Sequence, residues 1–95
     1  MPPDSEIIIS DTSSLILLTK IGELDRLRKF GRPILCTPAI EREFKERLPA
    51  WINVVSPTHD RYQKILHFEI DEGEASAIAL ALEIDDSTIV IGDLK

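Results

Sequence analysis

The stretch Ile7-Ile8-Ile9-Ser10-Asp11-Thr12-Ser13-Ser14 decides how this chain is read. Three consecutive β-branched apolar residues do not alternate with polar ones, so both faces of the strand they form must be covered, as in the centre of a parallel sheet. An acid follows at once, and then three hydroxyl residues able to cap a helix. Strand, acid and helix start in that order place a ligand-binding group at the carboxyl end of a strand, where open α/β sheets bind their ligands. Thr88-Ile89-Val90-Ile91 repeats the pattern, with Asp93 two residues beyond it. If the two strands are neighbours, Asp11 and Asp93 emerge from one sheet edge about 5 Å apart. Two carboxylates that close ionise together only with a cation between them. Mg²⁺ or Mn²⁺ suits the need, because hard cations prefer carboxylate oxygens. Glu43 and Glu74, on helical segments between the two strands, could complete such a site.

Working outward, the elements are short and separated by Gly and Pro. Leu15 to Lys20 predicts a helix ending near Gly22, with Thr12, Ser13 and Ser14 offering N-cap oxygens. Leu24, Leu27 and Phe30 have helical spacing, with Gly31 as the left-handed exit. Pro33 to Thr37 predicts a strand and Pro38 the first position of another helix, whose stripe Ile40, Phe44 and Leu48 faces inward until Pro49 ends it. Ile52 to Val55 predicts an edge strand. Arg61 to Phe68 predicts an exposed helix with Tyr62, Ile65 and Leu66 turned in. Asp71 and Glu74 have capping-box spacing, and the apolar run Ala75 to Leu82 must be packed on several sides. Strands alternating with helices imply right-handed β-α-β units and hence a three-layer α/β/α sandwich with a parallel sheet.

A chain of 95 residues is the size of one domain, expected over residues 6–95, with a loose end at Met1 to Ser5. Cys36 is the lone cysteine, which excludes an intramolecular disulfide and points to a reducing, cytoplasmic setting. No signal-peptide pattern opens the chain and no apolar run is long enough for a bilayer, so no membrane association is expected. The net charge of −6 is the reverse of the footprint expected for a grip on a phosphate backbone. Part of that acidity reads as a solubilising surface and part as site carboxylates awaiting cations. Lys20, Arg26, Arg28, Lys29 and Arg32 read first as a solvated face and second as a basic patch. His59 and His67 fit no ligand spacing and read as surface residues.

At its acids the chain resembles the PIN domain nucleases, in particular a branch of predicted nucleic-acid-binding proteins related to the toxins of toxin-antitoxin pairs. Ser10-Asp11-Thr12-Ser13-Ser14-Leu15-Ile16 is similar to the first acidic motif of that branch, followed by Lys20-Ile21-Gly22 and Leu24. Thr37-Pro38-Ala39-Ile40-Glu41-Arg42-Glu43-Phe44 resembles the second and selects Glu43, where the pattern alone leaves Glu41 and Glu46 as rivals. Asp71 to Ala81 resembles the third, with Glu74 as its acid, and Ile91-Gly92-Asp93-Leu94-Lys95 the start of the fourth. Gly92 and Leu94 stand where the family often has an acid and an Arg. The resemblance implies a metal-dependent ribonuclease acting on single-stranded RNA, with Asp11, Glu43, Glu74 and Asp93 as catalytic metal ligands, and it implies an antitoxin protein as partner. It also implies a sheet order of 3-2-1-4-5, whose last strand and C-terminal helices this sequence does not contain. The strand near Thr88 to Ile91 is then expected to be an exposed edge through which the protein self-associates.

Each acid has a plainer reading as well. Asp11 can be an N-cap, Glu74 a capping-box acid and Asp93 a turn residue. Thr12 and Ser13 can cap the first helix, or a hydroxyl there can orient the Asp11 carboxylate from outside the ligand set. Two functions therefore stand at this stage: the ribonuclease, and an inactive PIN-like remnant kept as an oligomerisation or interaction module. A phosphotransferase using Asp11 as nucleophile is disfavoured, since Asp11-Thr12-Ser13 lacks the second acid and the Gly of the aspartyl-phosphate loop.

Overall fold

The computed structural model describes residues 7–59, 61–85 and 87–90. Met1 to Ser5, Ile91 and Asp93 lie outside the described residues.

The apolar run at the start forms β1 (Ile7–Ser10), and Ile8 and Ile9 are fully buried. Burying an Ile side chain contributes roughly 1.5 to 3 kcal/mol, so this strand anchors the core. Next come α1 (Thr12–Lys20), a 3-10 helix (Leu24–Phe30), β2 (Ile34–Cys36), α2 (Pro38–Phe44), β3 (Ile52–Val54), α3 (Arg61–Leu66), α4 (Glu72–Glu83) and β4 (Ser87–Val90). The four strands form one parallel sheet in the order β3-β2-β1-β4. β1 is central, with Ile8 paired to Ile34 on one side and to Thr88 on the other. The chain moves outward from β1 to β3 and then returns past β1 to β4. By the right-handed crossover rule the outward and return connections cover opposite faces, which gives the expected three layers.

Several expectations change in detail. The N-cap of α1 is Asp11 rather than one of the hydroxyl residues, and the helix begins at Thr12. Leu24–Phe30 is a 3-10 helix, and Gly31, at φ 66°, closes it in the left-handed conformation. α2 ends at Phe44, short of Leu48 and Pro49, because Lys45 turns left-handed at φ 63°. Of the predicted inward stripe on α3, Tyr62 is 43% and Ile65 60% exposed while Leu66 is half-buried, and no residue of that helix is fully buried. The packing that six residues can make is taken up by α4, whose Ala75, Ala77, Ala79 and Leu80 are buried while α3 lies against it as an outer element.

Cys36 is buried in β2, and loss of hydration, helped by the Glu41 charge, pushes its thiol up to about 11. Since the thiolate is the reactive form, a disulfide reagent at mild alkaline pH should modify native protein about 100-fold more slowly than protein unfolded in guanidinium. Equal rates would show that Cys36 is open to solvent.

At the far end of α4, the Glu83 carboxylate accepts the backbone N–H groups of Thr58, at 2.7 Å, and His59, at 3.2 Å. The Thr58 bond first and the His59 bond second hold its pKa below the ordinary value of 4.5. A pKa lowered by folding stabilises above the unfolded value, and that contribution is lost as pH falls through the folded value. Wild type should therefore lose Tm relative to Glu83→Gln on acidification below 4.5, and parallel Tm curves would refute the tether.

Candidate metal centre

Asp11 occupies the point where the sheet's connections change direction. β1 has β2 on one side and β4 on the other, and the chain leaves β1 toward β2 but enters β4 from the opposite side. Open parallel sheets bind ligands at the carboxyl ends of such strands. The Asp11 side chain is 2% exposed, and its Oδ1 accepts the Ser14 N–H at 2.8 Å, so the carboxylate is fixed by the helix it caps.

The next residue brings in a second acid from far along the chain. Thr12 Oγ1 donates to Glu43 Oε1 at 2.6 Å, a short bond of the kind expected when the acceptor is a carboxylate. Glu43 comes from the last turn of α2, a helix fixed at its other end by Thr37, whose Oγ1 accepts the Ile40 N–H. Thr37 also bonds Ser76 at 2.5 Å, which locks α2 against α4. Of the two hydroxyl residues beside Asp11, Thr12 makes this contact and Ser13 is exposed.

The third segment arrives at α4. Its N-cap Asp71 accepts the Glu74 N–H at 2.9 Å, and Arg42 of α2 donates to Glu72 at 3.1 Å. Between Glu72 and Glu74 stands buried Gly73. A Cβ there would run into Glu43 Oε1 and lie 3.0 Å from Thr12 Oγ1. The backbone of Gly73 is not left-handed, so this glycine is required for space: it is the seat of the Glu43 carboxylate. Sequence reasoning missed it. Glycine inside a helix costs roughly 1 kcal/mol against alanine, so its place in the first turn of an otherwise alanine-rich helix was the available signal.

The structure thus joins Asp11, Thr12, Glu43 and the first turn of α4, which carries Glu74 half-buried, while Asp93 lies outside the described residues. Val90, at the end of β4, is the register partner of Ser10. Among the described residues, no three His, Cys, Asp or Glu side chains are gathered closely enough to hold a metal ion. The side chains joined there, Asp11, Thr12 and Glu43, offer only oxygen donors, which in kind suit a hard divalent cation. His59 and His67 are exposed, as expected of surface residues. The basic residues Lys20, Arg26, Arg28 and Lys29 are also exposed, with Arg26 paired to Glu23 and Arg28 lying over the Trp51 ring, so they form a solvated face. No helix among the described residues is long and apolar enough to cross a membrane.

A parallel four-stranded α/β domain with Asp11 at its switch point, and Glu43 tied beside it through Thr12, defines the class: a sheet protein whose candidate site offers oxygen donors. Within that class the DUF3368 family, described as a PIN domain, matches residues 7–95, and the chain belongs to this nuclease-like family. No curated protein and no solved structure matches the chain significantly.

Proposed function

We propose that the protein is a metal-dependent ribonuclease that hydrolyses phosphodiester bonds of single-stranded RNA, with Asp11, Glu43, Glu74 and Asp93 as the residues that hold Mg²⁺ or Mn²⁺. The observation that carries this reading is the bond from Thr12 to Glu43 above the Gly73 seat, which brings three segments remote in sequence to the end of the central strand. When bound, the cation supplies Lewis acidity that offsets charge on the phosphodiester and makes water a competent nucleophile near neutral pH. The chain's own groups do the positioning. Asp11 is held by Ser14, Thr12 fixes the rotamer of Glu43, and the Thr37–Ser76 bond keeps α2 and α4 from sliding apart. Such fixed geometry is worth most when a phosphoryl centre must be met in line.

Within this reading the protein is the toxin component of a toxin-antitoxin pair, cytoplasmic, and inhibited by an antitoxin protein. A second copy pairs along β4, which has a strand neighbour on one side only among the described residues. A monomer at micromolar concentration in a sizing experiment would reject the self-association.

The second reading, a PIN-like fold retained as an interaction module, is favoured by one observation, the absence of a metal-holding cluster among the described residues. Calorimetric titration with Mn²⁺, paired with incubation of a mixed-sequence single-stranded RNA with and without EDTA, separates the two. Metal binding with EDTA-sensitive cleavage supports the ribonuclease. Metal binding without cleavage supports the interaction module.

A further inference from the structure

Two hydroxyl side chains are sealed between α2 and α4, where apolar packing alone does not call for them. Thr37 is fully buried and Ser76 is 1% exposed, and their oxygens lie 2.5 Å apart across the two helices. On α4 the neighbours Ala75, Ala77 and Ala79 are buried as well, so an alanine at position 76 would continue the pattern. A buried hydrogen-bonded pair can be exchanged for apolar groups of the same shape at little net cost. What such a pair supplies is a fixed geometry between the elements that carry it.

The protons of the pair run one way. Ser76 has a single hydroxyl proton and donates it to the Gly73 carbonyl at 2.7 Å. The Thr37 proton therefore goes to Ser76, while the Thr37 oxygen accepts the Ile40 N–H at 3.3 Å. A helical hydroxyl that bonds back to its own helix is common and needs no second helix. Here the bond is extended to α2, so one chain runs from the first turn of α2 through Thr37 and Ser76 to Gly73. Gly73 is the residue against which the Glu43 carboxylate lies, and Glu43 stands in the last turn of the same seven-residue α2. The chain ties the start of the helix that carries Glu43 to the surface on which Glu43 rests.

We propose that Thr37 and Ser76 are positioning residues of the metal centre: their hydroxyl pair sets the register of α2 on α4 and so fixes the Glu43 carboxylate relative to Asp11. The inference rests on the reading that Asp11 and Glu43 share a cation, and it adds the pair that sets one ligand against the other. So short a helix has little length over which to absorb a slip at its start, and a misplacement of about 1 Å at a reacting centre can cost about 100-fold.

The test compares Ser76→Ala, Thr37→Ser and a control, Ile52→Val, which trims a buried side chain on β3 at the far edge of the sheet from β4. Mn²⁺ affinity is measured by calorimetry well below Tm. Ser76→Ala should weaken it about tenfold or more. Thr37→Ser keeps the hydroxyl and should hold the wild-type value within about twofold. Ile52→Val should lower Tm by about 5 °C and leave Mn²⁺ affinity unchanged, which separates positioning from stability. A second readout needs no metal: urea midpoints in EDTA for Thr12→Val, Ser76→Ala and the double variant. If the pair seats Glu43, the Thr12–Glu43 bond is already weakened in Ser76→Ala, so Thr12→Val should cost at most about half as much there as in wild type. Additive midpoints overturn the proposal, and so does wild-type Mn²⁺ affinity in Ser76→Ala. A wild type that binds no Mn²⁺ but shows the non-additive midpoints removes the metal reading and leaves the pair as the device that seats Glu43.

Discussion

Asp11→Asn should abolish metal-dependent cleavage of RNA, by on the order of 10³-fold or more, with little change in Tm. The size follows from the several kcal/mol that a correctly held cation contributes to a phosphoryl transition state. The unchanged stability follows from a separate fact. Asp11 is also the N-cap of α1, through the bond from Ser14 to its Oδ1, and Asn caps about as well as Asp. The substitution therefore removes the charge and keeps the cap. Asp11→Ala removes both, so it should lose the same activity and, in addition, about 1 kcal/mol of stability. Comparing the two variants separates the structural role of this residue from its chemical one. If Asp11→Asn still cuts RNA at the wild-type rate, the cleavage comes from a contaminant.

The second large effect is expected at a residue with no functional group. Gly73→Ala should leave the fold intact and damage the site. In an ordinary helix position the change would stabilise by up to about 1 kcal/mol, through propensity alone. Here the new methyl meets the carboxylate of Glu43 and crowds the Thr12 hydroxyl, and the carboxylate is the far end of a flexible side chain that can swing away. Stability should accordingly change by no more than about 1 kcal/mol in either direction, the gain in propensity set against crowding at Thr12. The Thr12–Glu43 bond breaks, and disturbing groups that orient metal ligands typically costs about 10- to 100-fold in affinity or activity. Measuring Tm, Mn²⁺ affinity and cleavage on the same preparation checks the pairing. Wild-type Mn²⁺ affinity in Gly73→Ala would mean that Glu43 takes no part in holding the ion.

The sheet was legible because its strands are unusually explicit. Ile7 to Ile9 could hardly be anything but a covered central strand, whereas the placement of β4 beside β1 came from the family resemblance, because a parallel sheet alone does not say which strand the last one joins. The helix ends were less legible because local backbone choices settled them. The left-handed turn at Lys45 cut α2 short of Leu48 although the apolar spacing continued. At α3 the amphipathic pattern was real but its direction was not readable: spacing shows that Tyr62 and Ile65 share a side, and only the packing of α4 shows that this side faces out. The site was legible in part. Asp11 follows from its strand, whereas Glu43 needed the family resemblance, because the sequence does not reveal that Thr12 reaches across to it or that Gly73 makes room for it.

The most direct test of the shared ion is the crystal structure of the protein soaked in Mn²⁺, read by its anomalous scattering. The account predicts a peak at the end of β1 with carboxylate oxygens of Asp11 and Glu43 among its ligands, at about 2.2 Å as is usual for such ions. A saturating soak that leaves this position empty, or that puts Mn²⁺ only on acids elsewhere on the surface, contradicts it.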